Sequence, residues 1–233
     1  MITKNECFTY KEFVDKYQSY LYPMLGAHIS RLYNRQGGII IDMGTGPGYL
    51  SSELVERTGG KVHAVDINPA MHELTSLLLK KKNIEHMVSC DIVDVHNQHY
   101  PDDYADLIVS YSCLHHWEDP VKGLAECYRV LAQGGLMIIL DTLPNDKKTL
   151  QALERSIVEP EYFRFVREAF EESYSFEQIE AFVEQAGISA YELKQFNFSE
   201  EDMIDCLEIL EELVIPEVDE DANAKSWILI VRK

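Results

Sequence analysis

Positive charge is what this 233-residue sequence has least of: 21 Lys and Arg stand against 40 Asp and Glu, a formal net charge of −19. A surface of that sign repels phosphate backbones, which excludes nucleic acid as a general partner. The deficit is concentrated. Between Asn197 and Ala224 there are eleven acidic residues and no Lys or Arg, so this segment supplies over half of the net charge. It reads as a solvated acidic face, with docking of a basic partner as the alternative. Cysteine is sparse and unpatterned: Cys7, Cys90, Cys113, Cys127 and Cys206 are odd in number and form no CxxC pair. Neither a disulfide framework nor a metal site is expected, and reduced thiols in a cytoplasmic protein fit this usage. No apolar run reaches the length of a membrane span, and the opening "MITKNECFTYKEF" lacks the layout of a secretory signal. No repeat or low-complexity tract is present either. What remains is a composition of 46% hydrophobic and 26% charged residues, which fits one α/β domain over 1–233.

The most informative stretch is "GGIIIDMGTGPGYLSSEL", from Gly37 to Leu54. Ile39, Ile40 and Ile41 form a β-branched run ended by Asp42, the pattern of a strand covered on both faces of a parallel sheet. From Tyr49 onward Leu50, Leu54 and Val55 recur at helical spacing. Gly44, Gly46 and Gly48 therefore occupy a strand-to-helix turn, where the lack of a Cβ permits positive φ and lets a ligand approach the backbone.

Alternation continues along the chain. Strands are expected at 61–66, about 86–90, 106–111 and 135–141, the last after a double-glycine helix stop at Gly134 and Gly135. Helices fill the intervals, which argues for a parallel sheet covered on both sides. Residues 5–35 read as one or two helices interrupted near Pro23, and 144–172 as an inserted helical segment divided at Pro160. A helix capped by Ser175 and stopped by Gly187 leads to a last, antiparallel pair of strands at 188–196 and 226–233. Between them lies an acidic helical insertion at 197–224, whose Met203, Ile204, Leu207, Leu210 and Val214 make an apolar stripe expected to dock on the body.

Two ligand classes use a glycine turn after the first strand of such a sheet. A dinucleotide fold needs G-x-G-x-x-G, but Tyr49 stands where the third glycine belongs. A nicotinamide-dependent oxidoreductase is thus the weaker alternative. Asp66 ends the second strand twenty residues beyond Gly46, where a carboxylate can accept bonds from both ribose hydroxyls. Asp91 follows the third strand, placed to accept a hydrogen bond from an adenine amino group. Asp42, the glycines, Asp66 and Asp91 all fall at the carboxyl ends of successive strands, where open α/β sheets bind ligands.

"IIDMGTGPGYL", "VDINPAM", "SCDIVDV", "LHHWEDP" and "RVLAQGGLMII", in this order, resemble the class I S-adenosylmethionine-dependent methyltransferases. The similarity is to the small-molecule branch that includes enzymes of ubiquinone and menaquinone biosynthesis. The resemblance implies a Rossmann-like, mostly parallel seven-stranded sheet of order 3-2-1-4-5-7-6. It implies a cofactor-binding core at 37–141, a helical cap at 5–35 and a helical lid at 144–172. S-adenosylmethionine is the implied cofactor. Asp42 with Gly44, Gly46 and Gly48 would hold its methionine end, and Asp66 its ribose. Ile67 would pack on adenine, Asp91 and the Ile92 backbone would read the adenine edge, and Ser110 would lie near the methionine portion.

The acceptor would be a small molecule or short peptide whose O, N or C nucleophile takes the methyl group. His115 and His116, after the fourth strand, are the candidate bases, since unperturbed histidine titrates near neutrality. Tyr111, the cap tyrosines Tyr17 and Tyr20, and the lid residues Tyr162 and Arg164 are candidate acceptor contacts. Readings left open are a homodimer, a non-catalytic cofactor-binding subunit using the acidic segment, and transfer of another part of the same cofactor.

Overall fold

The computed structural model describes residues 2–233. Two helices, α1 (Lys4–Tyr17) and α2 (Leu21–Tyr33), precede β1 (Ile39–Met43), α3 (Tyr49–Thr58), β2 (Lys61–Asp66), α4 (Pro69–Lys82) and β3 (Val88–Ile92). Next come β4 (Ala105–Tyr111), α5 (Pro120–Val130) and β5 (Leu131–Thr142). The inserted segment gives α6 (Lys147–Ser156) and α7 (Pro160–Glu172), divided where Pro160 is expected to divide them. Helix α8 (Phe176–Gln185), β6 (Tyr191–Phe196), the short α9 (Glu200–Ile204) and α10 (Leu207–Glu212), and β7 (Ser226–Arg232) complete the chain.

The strands form one seven-stranded sheet of order β3-β2-β1-β4-β5-β7-β6. The pairs among β1 to β5 are parallel, and β7 runs antiparallel to both β5 and β6. This is the order the resemblance implies. Because side chains alternate along a strand, neighbouring residues feed opposite faces. Ile41, Val65, Ile108, Met137 and Leu229 join the core under α5 and α8. Ile40, Val62, Leu107, Ile138 and Ile228 join the core that receives the cap helices, α3 and the lid.

Three local expectations change. The helix before β5 ends at Val130, and the strand begins at Leu131 rather than after the double glycine. Gly134, at φ +74°, sits in a bulge where the pairing with β4 slips between Ala105–Leu131 and Leu107–Leu136. The glycines therefore bend a strand instead of stopping a helix. The break between α1 and α2 falls at 18–20, ahead of Pro23, which lies in the first turn of α2 where its missing N–H has no helical partner to lose. The apolar stripe of the acidic insertion is not docked as expected. Met203, Ile204, Leu207 and Val214 are exposed, Leu210 is half-buried, and Asp202 and Cys206 are the residues that bury. Asp202 is held there by Arg31 and by His28 Nδ1, 3.1 Å from Oδ2, because a buried carboxylate needs charged or polar partners.

Candidate cofactor and acceptor site

The carboxyl ends of β1, β2, β3, β4 and β5 share one edge of the sheet, and the glycine turn lies at its centre. Gly44, Gly46 and Gly48 have φ of +77°, +53° and +87°. A Cβ on Gly44 would run into Cys113 Sγ, and one on Gly48 would come within 2.6 Å of Thr75 Cγ2. Around Gly46 the nearest atom to such a Cβ is a Tyr10 ring carbon at 3.9 Å, so that residue is the open part of the turn. The amides of Gly44 and Thr45 donate to Val65 O, both at 2.8 Å, and Thr75 Oγ1 donates to Gly46 O at 2.8 Å. The turn is fixed to β2 and α4 before any ligand arrives.

Asp42 lies beneath it and is buried. Its Oδ2 accepts from Thr45 Oγ1 at 2.8 Å and Ser51 Oγ at 2.7 Å, and burial pushes its pKa up to about 6. Ser110 is also inside, donating to Met43 O at 2.8 Å and so pinning β4 to β1. Both residues brace the turn from below.

Asp66 is different. Its Oδ2 accepts the Gly46 amide at 3.1 Å and its Oδ1 accepts the Asn68 amide at 2.8 Å. Each oxygen keeps a further acceptor site, as a carboxylate has about four in all. Burial raises the Asp66 pKa, offset in part by those amides. Next to it Ile67 and, on the adjoining strand, Ile92 are 49% and 60% exposed. β2 and β3 are paired with Asp66 opposite Ile92, so the two isoleucines stand at one sheet corner with apolar surface uncovered. A ribose acceptor beside an apolar slot, reached over an open glycine, is the donor set and shape that an adenosyl group needs. The residues present fit that group. Asp91 sits one residue before Ile92. Tyr100 OH at 2.6 Å, His63 Nδ1 at 2.7 Å and Ser89 Oγ at 3.2 Å all meet its Oδ2. The Tyr100 and His63 bonds outweigh desolvation and hold the Asp91 pKa below the usual range.

On the other side of the turn, His115 is buried on the short 3₁₀ turn Leu114–His116. Asp141, at the end of β5, takes the His115 amide at 3.1 Å on Oδ2 and lies 2.7 Å from His115 Nδ1 through Oδ1. That orients the ring and leaves Nε2 as its free nitrogen. His116 is exposed, packs on the His115 ring with centroids 4.0 Å apart, and reaches Glu172 Oε2 at 2.6 Å on the lid.

The acceptor candidates divide into groups. Tyr111 stands edge-on to the buried Tyr22 at 5.8 Å, close to the turn, where Tyr22 also packs on Tyr49 at 5.1 Å. Tyr49 thus fills with an aromatic ring the place a dinucleotide turn keeps clear. Tyr17, Tyr162 and Arg164 meet at the seam of cap and lid. Tyr17 OH donates to Glu159 Oε2 at 2.8 Å, Tyr162 OH to Glu12 Oε2 at 3.3 Å, and Arg164 pairs with Glu6 at 2.9 Å. Tyr20 lies apart, packed with Met24, Ala27 and Cys206 under the acidic segment. Two residues at the site are not among the candidates read from the sequence. Tyr10 covers Gly46 and packs edge-on to Phe165 of the lid at 5.2 Å, but nothing in its helical spacing marks it among the cap tyrosines. Asp141 could have been found, since "MIILDTL" ends an apolar strand in an acid as β1 and β2 do.

Two surface clefts lie away from this edge. One of about 310 Å³ is lined by Arg31, Arg35 and Arg57 behind α2, with these side chains engaged by Asp205, Gly134 O and Glu53. The sheet edge is the better site because its polar groups converge while the cap and lid aromatics cover it.

Comparison with known proteins agrees with this geometry. Residues 41–139 match the methyltransferase domain family. The chloroplastic 2-methyl-6-phytyl-1,4-hydroquinone methyltransferase of Spinacia oleracea is 32% identical over 105 residues, 44% of this chain and 29% of that protein. A ubiquinone/menaquinone biosynthesis C-methyltransferase of Vibrio vulnificus is 31% identical over 109 residues, 46% of this chain and 42% of the relative. The chain therefore matches less than half the length of these relatives. A crystal structure from Methanococcus maripaludis, provisionally assigned as an S-adenosyl-L-methionine-dependent methyltransferase, superimposes with a TM-score of 0.70 at 25% identity. That superposition covers 99% of this chain and 93% of the other. The sheet order, the glycine turn and the acid after β2 are those of a Rossmann-like methyltransferase fold, and residues 41–139 are similar to the methyltransferase domain family.

Proposed function

We propose that this protein transfers a methyl group from S-adenosylmethionine to an O, N or C nucleophile of a small molecule or short peptide held beneath the cap and lid. The observation that carries the reading is the juxtaposition, along one sheet edge, of Asp66 with open acceptor sites and a buried His115–Asp141 pair. When bound, S-adenosylmethionine supplies a sulfonium methyl already electrophilic enough to react, which leaves positioning and proton removal to the chain.

Asp66 takes the ribose hydroxyls while its amide bonds to Gly46 and Asn68 keep the carboxylate aimed. Ile67 and Ile92 cover the two sides of the adenine slot, and Asp91 with the Ile92 backbone reads the base edge. Carbonyls of the glycine turn suit the methionine ammonium. Asp42 and Ser110 act through that turn, by the bonds that stop it from shifting. Such pre-set geometry can supply roughly 7–11 kcal/mol of a barrier. For an acceptor that must lose a proton, His115 Nε2 is the base, with Asp141 fixing the tautomer. His116 and Glu172 join the lid to the same loop, and Tyr10 with Phe165 excludes water from above. Tyr17, Tyr162 and Arg164 shape the acceptor space by holding cap to lid, and Tyr111 lines its floor.

The hydroquinone and ubiquinone/menaquinone methyltransferases among the relatives favour small aromatic acceptors, and the tyrosine-rich surroundings of the site agree. A screen with methyl-labelled cofactor over hydroquinones, amines and short peptides tests the reading. Label in any acceptor, lost in the Asp66→Ala variant, supports it; a folded, cofactor-binding protein that labels none of the three classes opposes it.

A further inference from the structure

Among the described residues twelve large hydrophobic side chains are exposed, and seven of them fall between residues 203 and 218. Two others, Ile67 and Ile92, belong to the cofactor slot. On the helical part the stripe consists of Met203, Ile204, Leu207 and Ile209, and it continues through Val214, Ile215 and Val218, at exposures of 42–81%. Scattered single residues of this kind are ordinary, but a contiguous set on one short segment marks an interaction surface.

The segment is anchored at both ends. Asp202 and Asp205 pair with Arg31 of the cap, and Arg57 donates to Cys206 Sγ at 3.3 Å. At the far end Asp219 pairs with Arg155 and Asp221 with Lys148, both at 2.8 Å, and the Asp219 amide donates to Ser156 Oγ, all on the lid helix α6. The apolar stripe is thus held between cap and lid. Five carboxylates of the segment make ion pairs, and Glu200, Glu208, Glu211, Glu212, Glu217 and Glu220 make none among the described residues.

We propose that the 203–218 stripe is a docking surface for a basic, amphipathic segment of a partner polypeptide. Charge decides the occupant. A second copy seated face to face would bring together two segments of eleven acids each, without a single Lys or Arg between 197 and 224. An anionic membrane is repelled for the same reason. A partner carrying apolar residues flanked by Lys or Arg satisfies both halves of the surface, covering the stripe and pairing the unmatched glutamates.

The test uses a helical peptide of leucine and lysine as probe, with an all-lysine peptide of equal charge and a leucine–glutamate peptide as controls, read by fluorescence anisotropy on the full chain. The leucine–lysine probe is expected to bind at least about tenfold more tightly than either control. Ile204→Ser/Leu207→Ser/Ile215→Ser should remove that advantage, and Glu208→Gln/Glu211→Gln/Glu212→Gln should weaken binding and flatten its salt dependence. These positions are exposed, so melting temperature and cofactor affinity should not change in either variant. Equal binding of the all-lysine peptide, or full binding by the serine variant, would overturn the proposal. So would a dimer in size-exclusion chromatography that the serine variant converts to monomer, since a second copy would then cover the stripe.

Discussion

Replacing Asp66 with Ala removes the carboxylate that the proposed function assigns to the ribose hydroxyls. Its two oxygens each hold one backbone amide, at 3.1 Å from Gly46 and 2.8 Å from Asn68, and each has room for one ribose hydroxyl. Hydrogen bonds to a charged group contribute about 1.5–3 kcal/mol each, so losing two predicts roughly 3 kcal/mol or more of cofactor binding. That is on the order of a hundredfold in Kd. The assay is calorimetric titration with the demethylated cofactor, repeated with its dideoxyribose analogue. In the parent protein, loss of the two hydroxyls should weaken binding about as much as the mutation does. In the Asp66→Ala variant the analogue and the full ligand should bind alike, because the partner of those hydroxyls is gone. If the variant is folded and binds the full ligand within about twofold of the parent, the ribose assignment is wrong. The same carboxylate sets a pH dependence. Its pKa is raised by burial, so it takes up a proton at higher pH than an ordinary aspartate, and affinity should fall on the acid side from that higher point.

Three further outcomes are expected. Gly48→Ala places a Cβ 2.6 Å from Thr75 Cγ2 at a φ of +87°, and should cost about 2–4 kcal/mol, seen as a lower midpoint in thermal unfolding. An unchanged midpoint would mean the turn is not held as described. Asp42 has a folded-state pKa near 6 against 3.8 for the free group, so the native state binds the extra proton and stability contributed here falls as pH rises from about 4 to 6. Asp42→Asn should remove that slope from a pH series of urea midpoints, and a slope that persists in the variant would place its origin elsewhere. Asp141→Asn unseats His115 and should lower kcat by roughly 10²–10⁴ for an acceptor that must lose a proton, with cofactor affinity unchanged. An equal loss of cofactor affinity would make Asp141 a structural prop of the site.

The sheet and the glycine turn were legible because they rest on short-range rules. A β-branched run ending in Asp42, three glycines forced to positive φ, and Asp66 at the end of an alternating strand each have few other structural explanations. Tyr10 was not legible, since contact between a residue on α1 and a turn some thirty-five positions away depends on how the cap is laid over the sheet. The double glycine misled for a physical reason: Gly134 serves equally to stop a helix or to bulge a strand, and only the pairing of β5 with β4 decides. The apolar stripe of the acidic insertion misled because periodic apolar residues normally bury. Here Asp202 and Cys206 occupy the seam instead, pulled in by Arg31, His28 and Arg57, and the apolar face turns outward.

Calorimetric titration of S-adenosylmethionine into the folded parent protein, with NADH titrated in parallel, is the most direct measurement. Saturable binding of one equivalent of the sulfonium compound and no heat from NADH is the predicted result. A protein that melts cooperatively yet gives no heat with S-adenosylmethionine, or that takes NADH in its place, would contradict the assignment of the glycine turn and Asp66 to an adenosyl ligand.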